Sequence, residues 1–198
     1  MDIAKDYFPF AVLGGISFAG ALIIIIRGNV LRGRLAKLQI GLPGNLNSNI
    51  FSPKLSGSFE GLPFVVCLST GSKNTPRKLN VRIENPFSFK LAVLKENSFS
   101  DFAKKLGISK DVQSGDAAFD AEFLLMSDDD FAVRSFLSDP AVKELIRSVF
   151  KMNYTVTFDN GGITASKSYY DPNADMDQVV VGKILRCLFG FWKKNTQS

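Results

Sequence analysis

The residues able to do chemistry are few and mostly acidic. Asp116, Asp120, Glu122 and the run Asp128, Asp129, Asp130 fall close together, and carboxylate oxygens are the ligands that Ca2+ and Mg2+ prefer. The spacing of a calcium loop, with ligands at alternate positions and a glycine in the middle, is missing. Asp120 and Glu122 alternate with apolar residues and are expected on the solvent face of a strand. The three later aspartates suit the positive N-terminal end of a helix. No metal ligand and no cofactor site is therefore assigned, and Asp116 with Asp120 is the pair left for a carboxylate- or metal-dependent hydrolase or transferase. Histidine is absent, which removes the commonest general base, the triads built on it and the commonest zinc ligand. Cys67 and Cys187 sit in apolar contexts, VVCLS and LRCLFGF, where a reduced thiol behaves as a small hydrophobe. Asp159-Asn160-Gly161-Gly162 lacks the lysine-serine ending of a phosphate-binding loop and reads as a tight turn.

The chain that positions these residues has 198 of them, with 45% hydrophobic, 22% charged and 18 phenylalanines. About 140 residues remain for globular structure once an N-terminal apolar run is set aside, the size of one domain with one core. That run, Phe8 to Ile26, holds no charge and ends at Arg27. At about 1.5 Å per residue it matches bilayer thickness, so a transmembrane helix is predicted, with Phe8, Phe10, Leu13, Ile16, Phe18, Leu22 and Ile26 facing lipid. Gly15 and Ala19 have the small-residue spacing for self-association. Arg27, Arg32, Arg34 and Lys37 follow the run and predict a cytoplasmic domain with the N-terminus outside, in a single-pass cell-membrane protein. The net charge of +5 is not spread evenly: residues 38–182 carry 15 basic against 17 acidic groups. The body is thus no nucleic-acid surface, and basic groups at both ends suit anionic lipid headgroups.

The predicted organisation is a tail (1–7), the span (8–26), a basic juxtamembrane segment (27–40), a linker rich in Gly, Pro, Asn and Ser (41–58), one α+β domain (59–194) and a tail (195–198). Strands are expected at 64–68, 79–83 and 87–93, forming a meander, and a capped helix over Phe99 to Leu106. A fourth strand is expected around Phe119 to Leu125. Ser127 should cap a helix, Pro140 should begin another, and a hairpin should turn at Asp159 to Gly162. The last helix runs from Met176 to about Lys194. The expected order is β-β-β-α-β-α-β-β-α with an antiparallel sheet. At its end Phe191, Trp192, Lys193 and Lys194 have the composition of an interfacial membrane contact.

The stretch Gly115-Asp116-Ala117-Ala118-Phe119-Asp120-Ala121-Glu122-Phe123 resembles an uncharacterised prokaryotic family of membrane-tethered domains. In that family a "GD, two residues, FD, two residues, F" strand is followed by "S-x-D" and a helix, here at Ser127. Leu55-Ser56-Gly57 and Phe59-Glu60-Gly61 are similar to the opening of that domain. The resemblance spans about residues 55–192 and implies a membrane-attached domain of unknown activity, with no catalytic residues to carry over. The function expected is a binding or scaffolding domain at the membrane face, with lipid and an unidentified protein as partners and no nucleic acid. The alternatives are the carboxylate enzyme and a lipid-handling domain.

Overall fold

A computed structural model describes residues 25–26, 28–49, 52–69, 76–95 and 111–196. The nine strands described form a single antiparallel sheet in the order β1-β2-β3-β4-β9-β8-β5-β7-β6. They are β1 Gly44–Leu46, β2 Lys54–Phe59, β3 Leu62–Leu68, β4 Lys78–Ile83, β5 Leu91–Lys95, β6 Asp111–Val112, β7 Phe123–Ser127, β8 Thr155–Asp159 and β9 Gly162–Ser168. The helices described are α1 (28–38), α2 Ala117–Asp120, α3 Asp130–Leu137, α4 Pro140–Lys151 and α5 Gln178–Asn195.

Strand alternation decides which face is covered. Phe64, Val66, Leu79, Val81, Ile83, Val156, Phe158 and Ile163 are buried on one face, and they join Leu35 and Leu38 of α1, Ile146 and Val149 of α4 and Ile184, Leu185 and Leu188 of α5 in one core cluster. Each such side chain removed from water contributes roughly 1.5–3 kcal/mol. This apolar weight holds the helices on one side of the sheet. Phe87 and Phe89, just before β5, complete an aromatic knot with Phe136, Phe158 and Phe191, its ring centroids 5.2–6.5 Å apart.

The α+β class and the hairpin turn at Asp159 to Gly162 match the sequence reading, but the element order and the transmembrane helix do not. No helix among the described residues is long and apolar enough to cross a membrane. Of the predicted span, residues 8–24 lie outside the described residues, including Phe8, Phe10, Leu13, Gly15, Ile16, Phe18, Ala19 and Leu22, while Ile26 is helical and exposed. The predicted helix over Phe99 to Leu106 also lies outside them, as does Arg27.

The segment read as a linker holds β1 and most of β2. Its polar residues close a hairpin: Asn47 Nδ2 donates to the Ser52 carbonyl at 3.1 Å, and Asn47 Oδ1 accepts from Lys54 N at 2.9 Å, a local side-chain substitute for turn bonds. Leu55 and Leu42 are buried beneath. Gly57 belongs to β2 because a side chain there would run into the Pro43 carbonyl and the Phe64 ring. The meander also fails, since β5 pairs with β7 and β8, and β4 pairs with β9. Apolar alternation sets which face a strand buries but not which strand lies beside it.

Asp116, Ala117, Ala118 and Phe119 open a helical turn instead of a strand. Asp116 is its N-cap, accepting from Ala118 N and Phe119 N at 3.1 Å each, with Gly115 at φ +84° before it. Asp129, not Ser127, caps α3. Ser127 is buried at the end of β7, where its hydroxyl donates to the Lys90 carbonyl at 2.5 Å and accepts from Asp129 N at 3.1 Å.

Candidate functional site: the polar sheet face

On the face away from the helices, the pleat sets polar side chains in two transverse rows. One runs Lys54, Cys67, Asn80, Ser166, Thr155 across β2, β3, β4, β9 and β8. The other runs Ser56, Val65, Arg82, Thr164, Thr157 and continues as Ala92 and Met126 on β5 and β7. Adjacent members stand one strand spacing apart, so hydroxyl, amide and cationic groups lie side by side on a β-branched surface. Lys54, Val65, Cys67, Asn80, Arg82, Glu84, Thr157, Thr164 and Ser166 line a concavity of about 320 Å³. Ala92, Leu94 and Met126 make a small separate apolar cluster with Leu124 on the same face; these three are buried, as are Thr157 and Ser166, so the face is open over β2, β3 and β4 and closed toward β8, β5 and β7.

The groove is held in shape by its own bonds. Ser166 Oγ donates to Asn80 Oδ1 at 2.8 Å, and Thr155 Oγ1 donates to the Ser166 carbonyl at 3.1 Å. Arg82 is clamped by the β8–β9 turn, its Nη2 bonded to Asp159 Oδ1 at 3.1 Å and its Nε to the Gly161 carbonyl at 3.3 Å. A Cβ on Gly161 would overlap the Arg82 guanidinium and displace it from this clamp. The turn predicted to be only a turn therefore fixes a cation at the groove edge. With Arg82 neutralised by Asp159, Lys54 and Glu84 balance, and the groove carries no net charge. Burial pushes the Cys67 thiol above its ordinary range, against smaller opposing effects led by Lys54 and the Asn80 hydrogen bond. A protonated, half-buried thiol is a poor nucleophile. The arrangement is fitted for hydrogen bonding rather than for bond breaking.

The acidic residues singled out in the sequence are brought to the other side of the molecule and engaged there. Asp116 Oδ2 meets Lys143 Nζ at 2.8 Å, and that ammonium, with the N–H groups of Phe119 and Ala118, holds the Asp116 carboxyl below the usual carboxylate range. Asp120 Oδ1 accepts from Ser114 N at 2.9 Å. Glu122 pairs with Arg147 at 3.0 Å, whose guanidinium also meets Glu144 and lies 5.4 Å from the Phe119 ring centroid. Phe119 stacks on Phe123, and Phe123 on Phe150, with centroids 4.8 Å apart in each case. The Gly-Asp, Phe-Asp, Phe pattern thus works as a capped and ion-paired helical turn. Asp116 and Asp120 are not presented as an acid–base pair. Among the described residues no group of three or more His, Cys, Asp or Glu is placed to hold a metal ion.

The C-terminal membrane contact is also corrected. Phe191 is fully buried in the aromatic knot, Trp192 is half-buried against Phe189, and Lys194 Nζ pairs with Asp139 Oδ2 at 2.8 Å. Lys193 alone of the four is exposed. Helical spacing puts Phe191 on the same stripe as Ile184 and Leu188, and the core claims it. Of the juxtamembrane cations, Arg32 and Arg34 are half-buried and Lys37 is exposed on α1. The groove itself was legible only as hydroxyl and amide residues at the outward positions of NVRIE, TVTF and ITASKS.

No protein family, no curated protein and no solved structure matches the chain.

Proposed function

We propose that the chain is a membrane-attached binding module whose polar sheet face, where it is open over β2, β3 and β4, receives a protein partner. The observation that carries this reading is the pair of polar rows across β2, β3, β4, β9 and β8, forming a neutral concavity on a sheet whose other face is packed with helices. A partner there would pair with Lys54, Asn80 and Glu84 and would cover Val65. Such a surface, polar with a small apolar floor, suits a reversible interface. Attachment to a membrane surface rests on the basic cluster Arg27, Arg32, Arg34 and Lys37, a composition that meets anionic headgroups.

The test is site-specific photo-cross-linking in native membranes, with the reactive side chain at Val65 in the groove or at Lys151 on the helix layer. The expected result is a defined protein adduct from Val65 and none from Lys151. Equal adducts from both positions, or none from Val65, would refute the assignment of the face.

A further inference from the structure

A second concavity, of about 490 Å³, lies between the end of α1 and the loop leading into α5. Its chemistry differs from that of the groove. Arg34 and Lys37 line it beside Ile40, which is 86% exposed, and beside Pro172. Gln178 also lines it and abuts Gly41, and its neighbour Val179 is 55% exposed. The cations are not neutralised: Arg34 Nη1 donates only to the amide oxygen of Asn173, at 3.2 Å, and Lys37 has no carboxylate partner among the described residues. The carboxylate lining the cleft, Asp177, caps α5, its Oδ1 accepting from Val179 N at 2.8 Å and Val180 N at 3.4 Å; it forms no ion pair with Arg34 or Lys37 but keeps its charge, which leaves the cleft lining with an excess of one positive charge. Of the other carboxylates on this loop, Asp171 accepts from Asn173 N at 2.7 Å and Asp175 pairs with Lys167 at 2.7 Å.

Two unpaired cations flanking exposed aliphatic side chains form the combination that binds the headgroup and acyl boundary of an anionic bilayer: the aliphatic groups enter the boundary and the cations meet lipid phosphates. We propose that this cleft docks the domain on an anionic membrane surface, with Ile40 and Val179 entering the interface and Arg34 and Lys37 binding headgroups. The proposal rests on the membrane-attached reading, and it moves the lipid contact from the C-terminal end of α5 to its N-terminal end. An acidic protein surface would satisfy the same cations, but the exposed aliphatic side chains of Ile40 and Val179 beside them favour the bilayer boundary.

The experiment uses the full chain in nanodiscs of phosphatidylcholine with or without phosphatidylglycerol. An environment-sensitive fluorophore on Ile40→Cys, in a Cys67→Ser, Cys187→Ser background, is read against quenchers carried by lipid and by water. The single Trp192 reports the other end of α5. The expected result is lipid quenching at position 40 that rises with phosphatidylglycerol, with none at Trp192. Changing Arg34 and Lys37 together to Gln should lower the ratio of docked to undocked chain at a fixed phosphatidylglycerol content by about thirtyfold, from roughly fivefold per cation. Quenching at position 40 that ignores phosphatidylglycerol, full access to aqueous quencher in both discs, or protection from water without lipid quenching would each overturn the proposal. The last outcome would indicate a protein on the cleft. A chain that never enters the discs would instead refute membrane attachment itself.

Discussion

Replacing Lys167 by Met should destabilise the domain by about 3 kcal/mol, because it strands a buried carboxylate. Lys167 Nζ lies 2.7 Å from Asp175 Oδ1, with side-chain exposures of 17% and 10%. The second Asp175 oxygen accepts from Asp171 N at 2.7 Å, so one backbone donor remains once the ammonium is gone. Methionine fills the same space but gives up the cation–π contact with Tyr154, from whose ring centroid Lys167 Nζ lies 5.6 Å away, so the loss adds that contact to the stranded carboxylate. Asp175→Asn can retain the Asp171 bond through its amide oxygen and should relieve the Lys167→Met variant. A double-mutant cycle is therefore expected to give a coupling of about 2 kcal/mol. Urea unfolding of the four proteins at a common slope measures it. The same pair pins the loop that walls the lipid cleft, so Lys167→Met should also speed hydrogen exchange at the Asp171 and Asp175 amides. A Lys167→Met cost below about 1 kcal/mol, or additive single variants, would refute the reasoning, since exposed pairs behave that way.

Tyr154 is fully buried and its hydroxyl meets no hydrogen-bond partner among the described residues, so Tyr154→Phe should stabilise by about 1 kcal/mol by removing an unpaired polar group; a lower unfolding midpoint would contradict this. Gly162 sits at φ +130°, and a Cβ there would meet the Ile83 carbonyl oxygen, so Gly162→Ala should cost about 2 kcal/mol or more in chemical denaturation. The Asp116 carboxyl is held low by Lys143 and by the helix N–H groups, so its contribution is present above the unfolded value and is lost as pH falls through the folded one. Asp116→Asn, which can still cap α2, should flatten the loss of stability below about pH 4; an unchanged acid limb in pH-dependent unfolding would contradict that assignment.

How far the fold could be read depended on whether a signal was local. Val81 and Ile83 alternating with Arg82 gave β4, and Asn160-Gly161 gave the β8–β9 turn, because both depend on neighbours within a few residues. The insertion of β9 and β8 between β4 and β5 depends on contacts over long separations and leaves no period in the sequence. Residues 41–58 misled because asparagine, serine and glycine serve linkers and tight hairpins alike; only the burial of Leu55 and the close approach at Gly57 separate the two. Asp116 misled in another way. A capped helical turn and a half-buried strand both place Phe119 and Phe123 inside, so apolar spacing did not distinguish them. At the candidate site the outward threonines were visible, while the clamp of Asp159 and Gly161 on Arg82 required the tertiary pairing of β4 with β9.

If a partner occupies the polar sheet face in its native setting, it covers Cys67, which lines the groove. Cysteine alkylation, resolved by mass spectrometry, can be timed for Cys67 in native membranes and in the purified chain, with Cys187 of α5 as the internal reference. The account predicts that Cys67 reacts severalfold more slowly in native membranes while Cys187 is unchanged. Equal Cys67 rates in the two settings would contradict it.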